Sequence, residues 1–191
     1  MRRATQCLSD QAQRPVVAYR APSFSIVKQT IWAFEILAEE GFLIDSSVFP
    51  VKHDLYGIPD AERFPHWRTT SQGQAIFEFP PSTVLWGQRN WGVGGGGYLR
   101  FFPYRLTRWA IRQINETEGQ PAMVYLHPWE IDPDQPRIKA SLRSRLRHYT
   151  NLSKMENRLE RLLRDFRFST LSDVCSRLEV YRSGGPKMPS A

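Results

Sequence analysis

The segment PAMVYLHPWEID, residues 121–132, ends an apolar run in a histidine that a proline follows directly. The run AMVYLH predicts a short buried β-strand, because it is apolar up to its histidine and Pro128 cannot continue a strand ladder. An imidazole at the end of such a strand can transfer protons near neutral pH. The segment therefore predicts a strand that presents His127 at a functional edge.

Similar short strands alternate with helical patterns along most of the chain. The predicted strands are residues 16–19, FLIDSS (42–47), AIFEFPPS (75–82) and AMVYLH (122–127). The predicted helices are IWAFEILAEE (31–40), stopped by Gly41, and residues 103–118, stopped by Gly119. This alternation predicts an α/β fold with parallel strands. Four units are too few for a (β/α)8 barrel, which needs ~250 residues.

The remaining segments lead to three further predictions. Residues 64–74 show no regular pattern and are interpreted as a lid or an insertion. Apolar residues recur every three or four positions from Ile138 to Phe166, which predicts one long amphipathic helix or two helices broken near YTN, residues 149–151. We therefore divide the chain into a main domain (1–135), a basic helical extension packed on it (136–180) and a disordered tail (181–191).

The formal net charge of +7 is concentrated in one region. Residues 137–167 hold ten Lys or Arg and three acids, which accounts for the whole excess. No nucleic-acid reader motif accompanies these charges, so we predict a solvated helix face and no nucleic-acid partner. No apolar run approaches a membrane span. Cys7 and Cys175 form no CxxC pair and are predicted to be free thiols, which favours a cytoplasmic location.

Polar residues stand at the predicted strand ends, where parallel β/α folds place their active sites. They are Arg20, Asp45, Glu78 and His127. A carboxylate such as Asp45 beside His127 would stabilise the imidazolium and make His127 a general acid. Arg20 could orient a carboxylate in the same cleft. Local capping or pairing of each residue remains the alternative.

Two other sequence patterns give weaker evidence for a functional site. The loop GVGGGGYLR (92–100) lacks the Gly-Lys-Ser/Thr ending of a phosphate loop. It is interpreted as a loop whose backbone either passes close to another group, such as a substrate, or turns sharply. The four histidines, at positions 53, 66, 127 and 148, show no metal-binding spacing. The chain by itself therefore predicts no metal site.

Five motifs in order make the chain resemble the polysaccharide deacetylases, the NodB-like carbohydrate esterases, and most of all the branch associated with bacterial exopolysaccharide and exosortase systems. They are YRAPSFSI (19–26), DSSVFP (45–50), HDLYGIPDAERFPH (53–66), GGGGYLRFFPY (94–104) and YLHPWEIDPDQPRI (125–138). Residues 142–168 resemble the extra C-terminal region of that branch. The resemblance implies a distorted (β/α)7 barrel that removes acetyl groups from amino sugars with a divalent metal, usually zinc.

Roles follow position by position from the resemblance. Arg20 would orient the catalytic-base aspartate, the backbone near Ser23 would stabilise the oxyanion, and Asp45 would tune the catalytic histidine. His127 would protonate the leaving amine, and Leu126 would line the acetyl-methyl pocket. The aromatic residues Trp129 and Tyr98 are candidates for contact with the polysaccharide, together with Trp86 and Trp91.

Two family motifs have no counterpart before Arg20. They are the Thr-Phe-Asp-Asp motif, which supplies the base and a metal ligand, and the His-x-x-x-His motif, which supplies two more ligands. Only Asp10 is an acid in that stretch. We therefore expect a partial barrel lacking its first strands, inactive alone. The alternatives are a non-catalytic carbohydrate-binding or scaffold remnant, and one half of a split enzyme completed by another chain.

Overall fold

The structure is a computed structural model and describes residues 1–184. The chain separates into two compact units, each with its own apolar core. The first unit comprises Met1–Pro80 and the described part of Thr170–Ala191, and the second comprises Pro81–Ser169. The predicted boundary after residue 135 falls inside the second unit, because residues on both sides of it share hydrogen bonds there.

The first unit is built on a four-stranded sheet of order β1-β2-β4-β3. Its strands are β1 (Ala18–Tyr19), β2 (Ile44–Asp45), β3 (His66–Thr69) and β4 (Ala75–Glu78). The first, second and fourth strands pair in parallel, as the sequence predicted. The third is antiparallel to the fourth. The strands are short, and no closed barrel is formed by the described residues.

The hairpin of β3 and β4 corrects the prediction that residues 64–74 are irregular. Thr70 N–H donates to the Gln74 carbonyl at 2.8 Å, and Gly73 takes a φ of +79° that closes the turn. Strand β3 consists mostly of polar residues, so its sequence shows no clear alternation of apolar and polar positions. Its Trp67 nevertheless packs edge-on against Phe77 at 5.1 Å between ring centroids, so tertiary packing selects the strand.

Four helices accompany this sheet: α1 (Arg2–Ala12), α2 (Ala33–Glu39), α7 (Leu171–Arg177) and α8 (Glu179–Gly184). Helix α2 confirms the first predicted helix, and its Phe34 and Leu37 are buried in the core. Helix α8 corrects the start of the expected tail, because Tyr181 is buried against Trp67 and Phe77. The rest of that tail, residues 185–191, lies outside the described residues.

The second unit contains a hairpin followed by helices. Its elements are β5 (Thr83–Trp86), β6 (Arg89–Gly92), α3 (Gly96–Phe101), α4 (Tyr104–Arg112), α5 (Leu142–Tyr149) and α6 (Met155–Asp165). A π-helical turn, Gln113–Thr117, continues α4 and confirms the second predicted helix. Its core joins Leu99 and Tyr104 to Met155 and Leu162.

One prediction for this unit is revised, and an alternative left open for another is decided. The fourth predicted strand is reduced to one parallel bridge between Tyr125 and Gly95, because its neighbour is the glycine-rich segment and not a regular strand. The C-terminal amphipathic pattern forms two helices, which confirms the second alternative. The break near YTN arises because Thr150 is extended and Asn151 takes a left-handed φ of 57°.

Candidate functional site

A row of four polar or aromatic residues crosses the sheet of the first unit. Tyr19, Asp45 and Glu78 are successive neighbours on the parallel strands, and His66 pairs with Glu78 from β3. Directly paired residues project from the same face of a sheet. The row therefore gathers two carboxyl groups and an imidazole at the C-terminal ends of the parallel strands, where α/β folds place their sites.

The two carboxyl groups are buried and lie side by side on neighbouring strands. Burial, and then the neighbouring Asp45 carboxylate, raise the pKa of Glu78 well above its usual value. Burial also raises the pKa of Asp45, although hydrogen bonds from Glu78 and from Ser47 oppose that rise. Both shifts favour a proton retained by the pair, and the shift is larger for Glu78.

The hydrogen bonding of Glu78 is incomplete. Its Oε1 accepts the Val48 N–H at 3.1 Å, whereas Oε2 is buried and has no hydrogen-bond partner among the described residues. Asp45 accepts both the N–H and the hydroxyl of Ser47, at 2.8 and 2.7 Å. A buried carboxylate oxygen without a partner is costly, which is a further reason why burial favours the protonated form of Glu78.

Arg20 lies beside the same segment, as its place after β1 predicted. Its guanidinium donates to the carbonyl and the hydroxyl oxygen of Ser46, at 3.0 and 2.7 Å. The Ala21 N–H donates to the Ser47 hydroxyl at 2.8 Å. The structure therefore brings the RAP and DSS motifs together, whereas the predicted role of Arg20 toward a catalytic base stays a prediction.

The turn that holds Ser23 is strained. Ser23 and Phe24 both take left-handed backbone angles, with φ of 55° and 53°, in the 3-10 turn Pro22–Phe24. Such angles cost non-glycine residues about 1–3 kcal/mol each and persist where packing enforces them. Here the Phe24 ring packs against Phe49 and Tyr56, at 5.1 and 5.7 Å. Strain of this kind accumulates at functional loops, which is consistent with the oxyanion role expected near Ser23.

His127 lies in the second unit, with a side chain that is 60% exposed. Its ring contacts Glu130, whose Oε2 lies 3.4 Å from Nδ1 and also accepts the His127 N–H at 2.9 Å. Pro128 opens the 3-10 turn Pro128–Ile131, and that turn carries Glu130 back beneath the histidine. The predicted proximity of Asp45 to His127 stays a prediction, since the two residues belong to different units.

Aromatic rings extend from this histidine. Trp129 stacks with His127 at 5.7 Å and with His148 at 4.0 Å between ring centroids. The guanidinium of Arg100 lies 5.0 Å from the Trp129 ring centre. Trp129 is half-buried in this stack, so its exposed part offers an apolar surface directly beside the imidazole.

The glycine-rich segment approaches the chain's own backbone and side chains. A β-carbon on Gly94 would lie 2.0 Å from the Met123 carbonyl oxygen, and one on Gly96 would lie 2.0 Å from Glu130 Oε2. Tyr98 packs over Gly92 in the same way. The predicted close approach is therefore confirmed, and what the glycines accommodate is the segment that carries His127.

Leu126 and Tyr98, two other residues predicted to contact the substrate, lie in the second unit. Leu126 is half-buried and packs on the core cluster of Leu99 and Tyr104. Tyr98 lies near Phe102, with 5.9 Å between ring centroids. Neither contact tests the predicted acetyl pocket or the polysaccharide contact, which stay predictions.

Sequence reasoning missed Glu130 and Arg100 and left the role of Glu78 open. The signal for Glu130 is its spacing, because an acid three residues after His-Pro in a 3-10 turn returns to the histidine. Glu78 was noted at a strand end, but its pairing with Asp45 depends on the sheet order. Nothing in the sequence singled out Arg100 among the 26 basic residues.

The zinc expected for the deacetylase family finds no site in the described chain. Among residues 1–184, no group of three or more His, Cys, Asp or Glu is arranged to hold a metal ion. His53 stacks on Tyr56 at 3.8 Å, and His66 Nδ1 lies 2.8 Å from the Phe64 carbonyl oxygen. The described residues therefore do not fit a zinc site of their own.

A comparison with models of known protein families identifies the family of the chain. A family model described as a domain of unknown function (DUF3473) matches residues 46–176, which is more than half of the 191 residues. The chain belongs to this family. No curated protein and no solved structure matches it.

The described helices were also compared with the requirements of a membrane span. None of the helices within residues 1–184 is both long enough and apolar enough to cross a bilayer.

Proposed function

We propose that this chain carries the acid half of a polysaccharide deacetylase site that acts on acetylated amino sugars of an exopolysaccharide. The observation that carries the proposal is the exposed imidazole of His127, held over the buried carboxylate of Glu130. Three of the five deacetylase-like motifs lie wholly inside the family match, which supports the assignment. The accompanying fold is the partial (β/α)7 barrel, to which the three parallel strands of the first unit would belong.

The chemistry assigned to His127 is proton donation. In deacetylation, water adds to the acetamide carbonyl carbon, the C–N bond breaks, and acetate and a free sugar amine are released. The departing nitrogen needs a proton, which an imidazolium can supply. In this proposal the backbone near Ser23 stabilises the negative oxygen formed when water adds, and Leu126 contacts the acetyl methyl group.

The base and the metal ligands of the family would be supplied by a segment with the Thr-Phe-Asp-Asp and His-x-x-x-His motifs, either in the same protein or in a second chain. We therefore expect the 191 residues alone to release no acetate. Mixing them with a fragment of a related deacetylase that carries both motifs is expected to produce turnover.

The test is acetate release from oligomers of N-acetylglucosamine by that mixture. Replacing His127→Gln is expected to lower the rate by about 10²–10⁴-fold, which is the usual contribution of a general acid. His53→Gln, at a half-buried histidine of the first unit, is the control and should leave the rate unchanged. Equal rates with and without the His127 imidazole would overturn the proposal.

A second candidate function is carbohydrate binding without catalysis. The observation that favours it is the β5–β6 hairpin, where Trp86 and Trp91 are 68% and 49% exposed. The pairing of Val84 with Trp91 places both tryptophans on one face of the hairpin. Two exposed indole rings on one face provide an apolar platform on which the C–H face of a sugar can pack.

The two functions separate in a binding titration. Tryptophan fluorescence is followed while oligomers of N-acetylglucosamine are added to the chain alone. If binding is the function, the Trp86→Ala and Trp91→Ala variants lose the fluorescence change. The Trp109→Ala variant, which removes a ring 47% exposed on α4, retains it. No saturable change in the wild-type chain would eliminate this candidate.

A further inference from the structure

We propose that Glu130, fixed by Arg100, is the positioning residue for His127 and holds its neutral imidazole in the Nδ1–H tautomer. The resemblance implies Asp45 as the carboxylate partner of this histidine, so Glu130 is an additional one. The catalytic role given to Glu130 rests on the proposed function. The contacts among Arg100, Glu130 and His127 are features of the structure and are independent of that function.

Glu130 is bound on both of its oxygens. Oε1 accepts Arg100 Nε–H at 3.0 Å, and Oε2 accepts the backbone N–H of His127 at 2.9 Å. The side chain is 2% exposed, and the closeness of Gly96 leaves it no room to turn away. The carboxylate therefore has one orientation, and in that orientation Oε2 faces His127 Nδ1.

Arg100 is held as firmly as the carboxylate that it binds. Its Nη1 donates to the carbonyl oxygens of Arg147, His148 and Thr150, at 3.2, 2.9 and 3.2 Å. These carbonyls belong to the last turn of α5 and the residue after it, where helix carbonyls lack partners within the helix. A guanidinium is always charged, and both oxygens of its partner Glu130 accept hydrogen bonds, as those of a carboxylate anion do.

The charge state of Glu130 decides the tautomer of His127. An ionised carboxylate has no proton and can only accept hydrogen bonds. The ring nitrogen facing it must therefore carry the proton, and Nε2 is left to point away from Glu130. Nε2 is then the nitrogen that can take up a proton and pass it to a substrate.

The distance of 3.4 Å between Nδ1 and Oε2 exceeds the 2.7–2.9 Å of a charge-assisted hydrogen bond. Catalytic hydrogen bonds are often long in the unbound state and shorten in the complex. The ring is already restricted by Trp129 stacked at 5.7 Å and Tyr125 edge-on at 6.5 Å. A small rotation of the imidazole therefore completes the hydrogen bond.

The experiment is long-range ¹⁵N–¹H NMR of the histidine rings in the 191-residue chain, at an alkaline pH where imidazole is neutral. The protein contains its own reference rings. His53 Nδ1 accepts the Leu55 N–H at 3.1 Å, which requires the Nε2–H form, whereas His66 Nδ1 faces the Phe64 carbonyl oxygen at 2.8 Å, which requires Nδ1–H. Single His→Gln variants assign the signals.

The expected spectrum shows His127 with the His66 pattern. The His53 pattern at His127 would overturn the proposal, and this measurement on the wild-type chain needs no destabilising variant. Glu130→Asp is the second arm. It keeps the charge beside Arg100 but withdraws the carboxylate by one methylene, so the Nδ1–H form is expected to lose its majority at His127 and to be kept at His66. An unchanged His127 tautomer in a folded Glu130→Asp variant would also count against the proposal.

This readout is separate from turnover. An Nδ1–H tautomer at His127 without acetate release in the complemented assay would sustain the positioning role and overturn the proposed function. Acetate release together with an Nε2–H tautomer at His127 would sustain the proposed function and overturn the positioning role of Glu130.

Discussion

Asp45 and Glu78 are direct neighbours across the parallel strands β2 and β4, and both side chains have 0% solvent exposure. Two carboxylates this close cannot both ionise without a large electrostatic cost. The burial of the pair therefore favours a retained proton and raises the pKa of Glu78 most. This relationship makes the first unit sensitive to pH in a direction that can be stated.

The stability of the wild-type chain should fall as pH rises from about 4 toward neutrality, because of Glu78. Its pKa is raised in the folded state, so above the unfolded-state pKa of about 4.3 the folded chain binds more protons than the unfolded chain. Unfolding free energy then falls with pH, by at most about 1.4 kcal/mol per unit for one group, until the folded-state pKa is passed. Urea unfolding at several pH values measures this slope.

Glu78→Gln should remove that slope, because the amide stays neutral and can still donate to Asp45. Glu179→Gln, at an exposed acid of the same unit, is the control and should retain the wild-type slope. Parallel stability curves for the wild type and the Glu78→Gln variant would show that no proton is retained by the pair.

Gly96 and Gly97 are adjacent glycines in α3 that should respond oppositely to alanine. A β-carbon on Gly96 would meet Glu130 Oε2 at 2.0 Å, whereas none of the described atoms lies within 4 Å of one on Gly97. Gly96→Ala should lower the unfolding free energy by about 1–3 kcal/mol through overpacking. Gly97→Ala should raise it by up to about 1 kcal/mol, because alanine favours the helix. Thermal unfolding of both variants compares them, and similar effects would refute the close approach.

Arg100 should contribute far more to stability than an arginine in an exposed pair. Arg100→Gln leaves a buried carboxylate without its cation and is expected to cost roughly 3–5 kcal/mol. The control is Arg108→Gln, which breaks a bridge to Asp165 whose side chains are 44% and 26% exposed, and should cost about 0–1 kcal/mol. Equal losses in urea unfolding would mean that the Arg100–Glu130 pair is not desolvated.

The two cysteines should differ sharply in reactivity. Both are free, as the sequence predicted, but Cys7 is exposed and Cys175 is fully buried. Burial raises the pKa of the Cys175 thiol to about 12, so roughly one molecule in ten thousand is ionised there at pH 8. A chromogenic disulfide reagent should titrate one thiol in the native chain and two in urea. The Cys7→Ser variant should react only after unfolding, and rapid native labelling of that variant would contradict the burial of Cys175.

Local patterns in the sequence were enough for the regular elements. The apolar spacing of Phe34 and Leu37 predicted α2, and the parallel strands before Asp45 and after Gln74 were found from apolar runs bounded by turn residues. The hairpin containing Trp67 was missed, because its strand is stabilised by ring contacts with Phe77 and Tyr181 that are distant in sequence.

The residues of the candidate site also fall into those that local sequence predicted and those that only the folded chain brings together. The sequence by itself determined that His127 ends an apolar segment, that Arg20 and Asp45 stand at the C-terminal ends of parallel strands, and that the glycines between residues 92 and 97 serve a close approach, since each depends on neighbours in the chain. Only the tertiary structure decided that Glu78 is buried beside Asp45 and that Arg100 fixes the Glu130 carboxylate beside His127. These pairs are 30 or more residues apart in sequence. Burial strengthens each of them electrostatically, and burial is a property that only the folded chain defines.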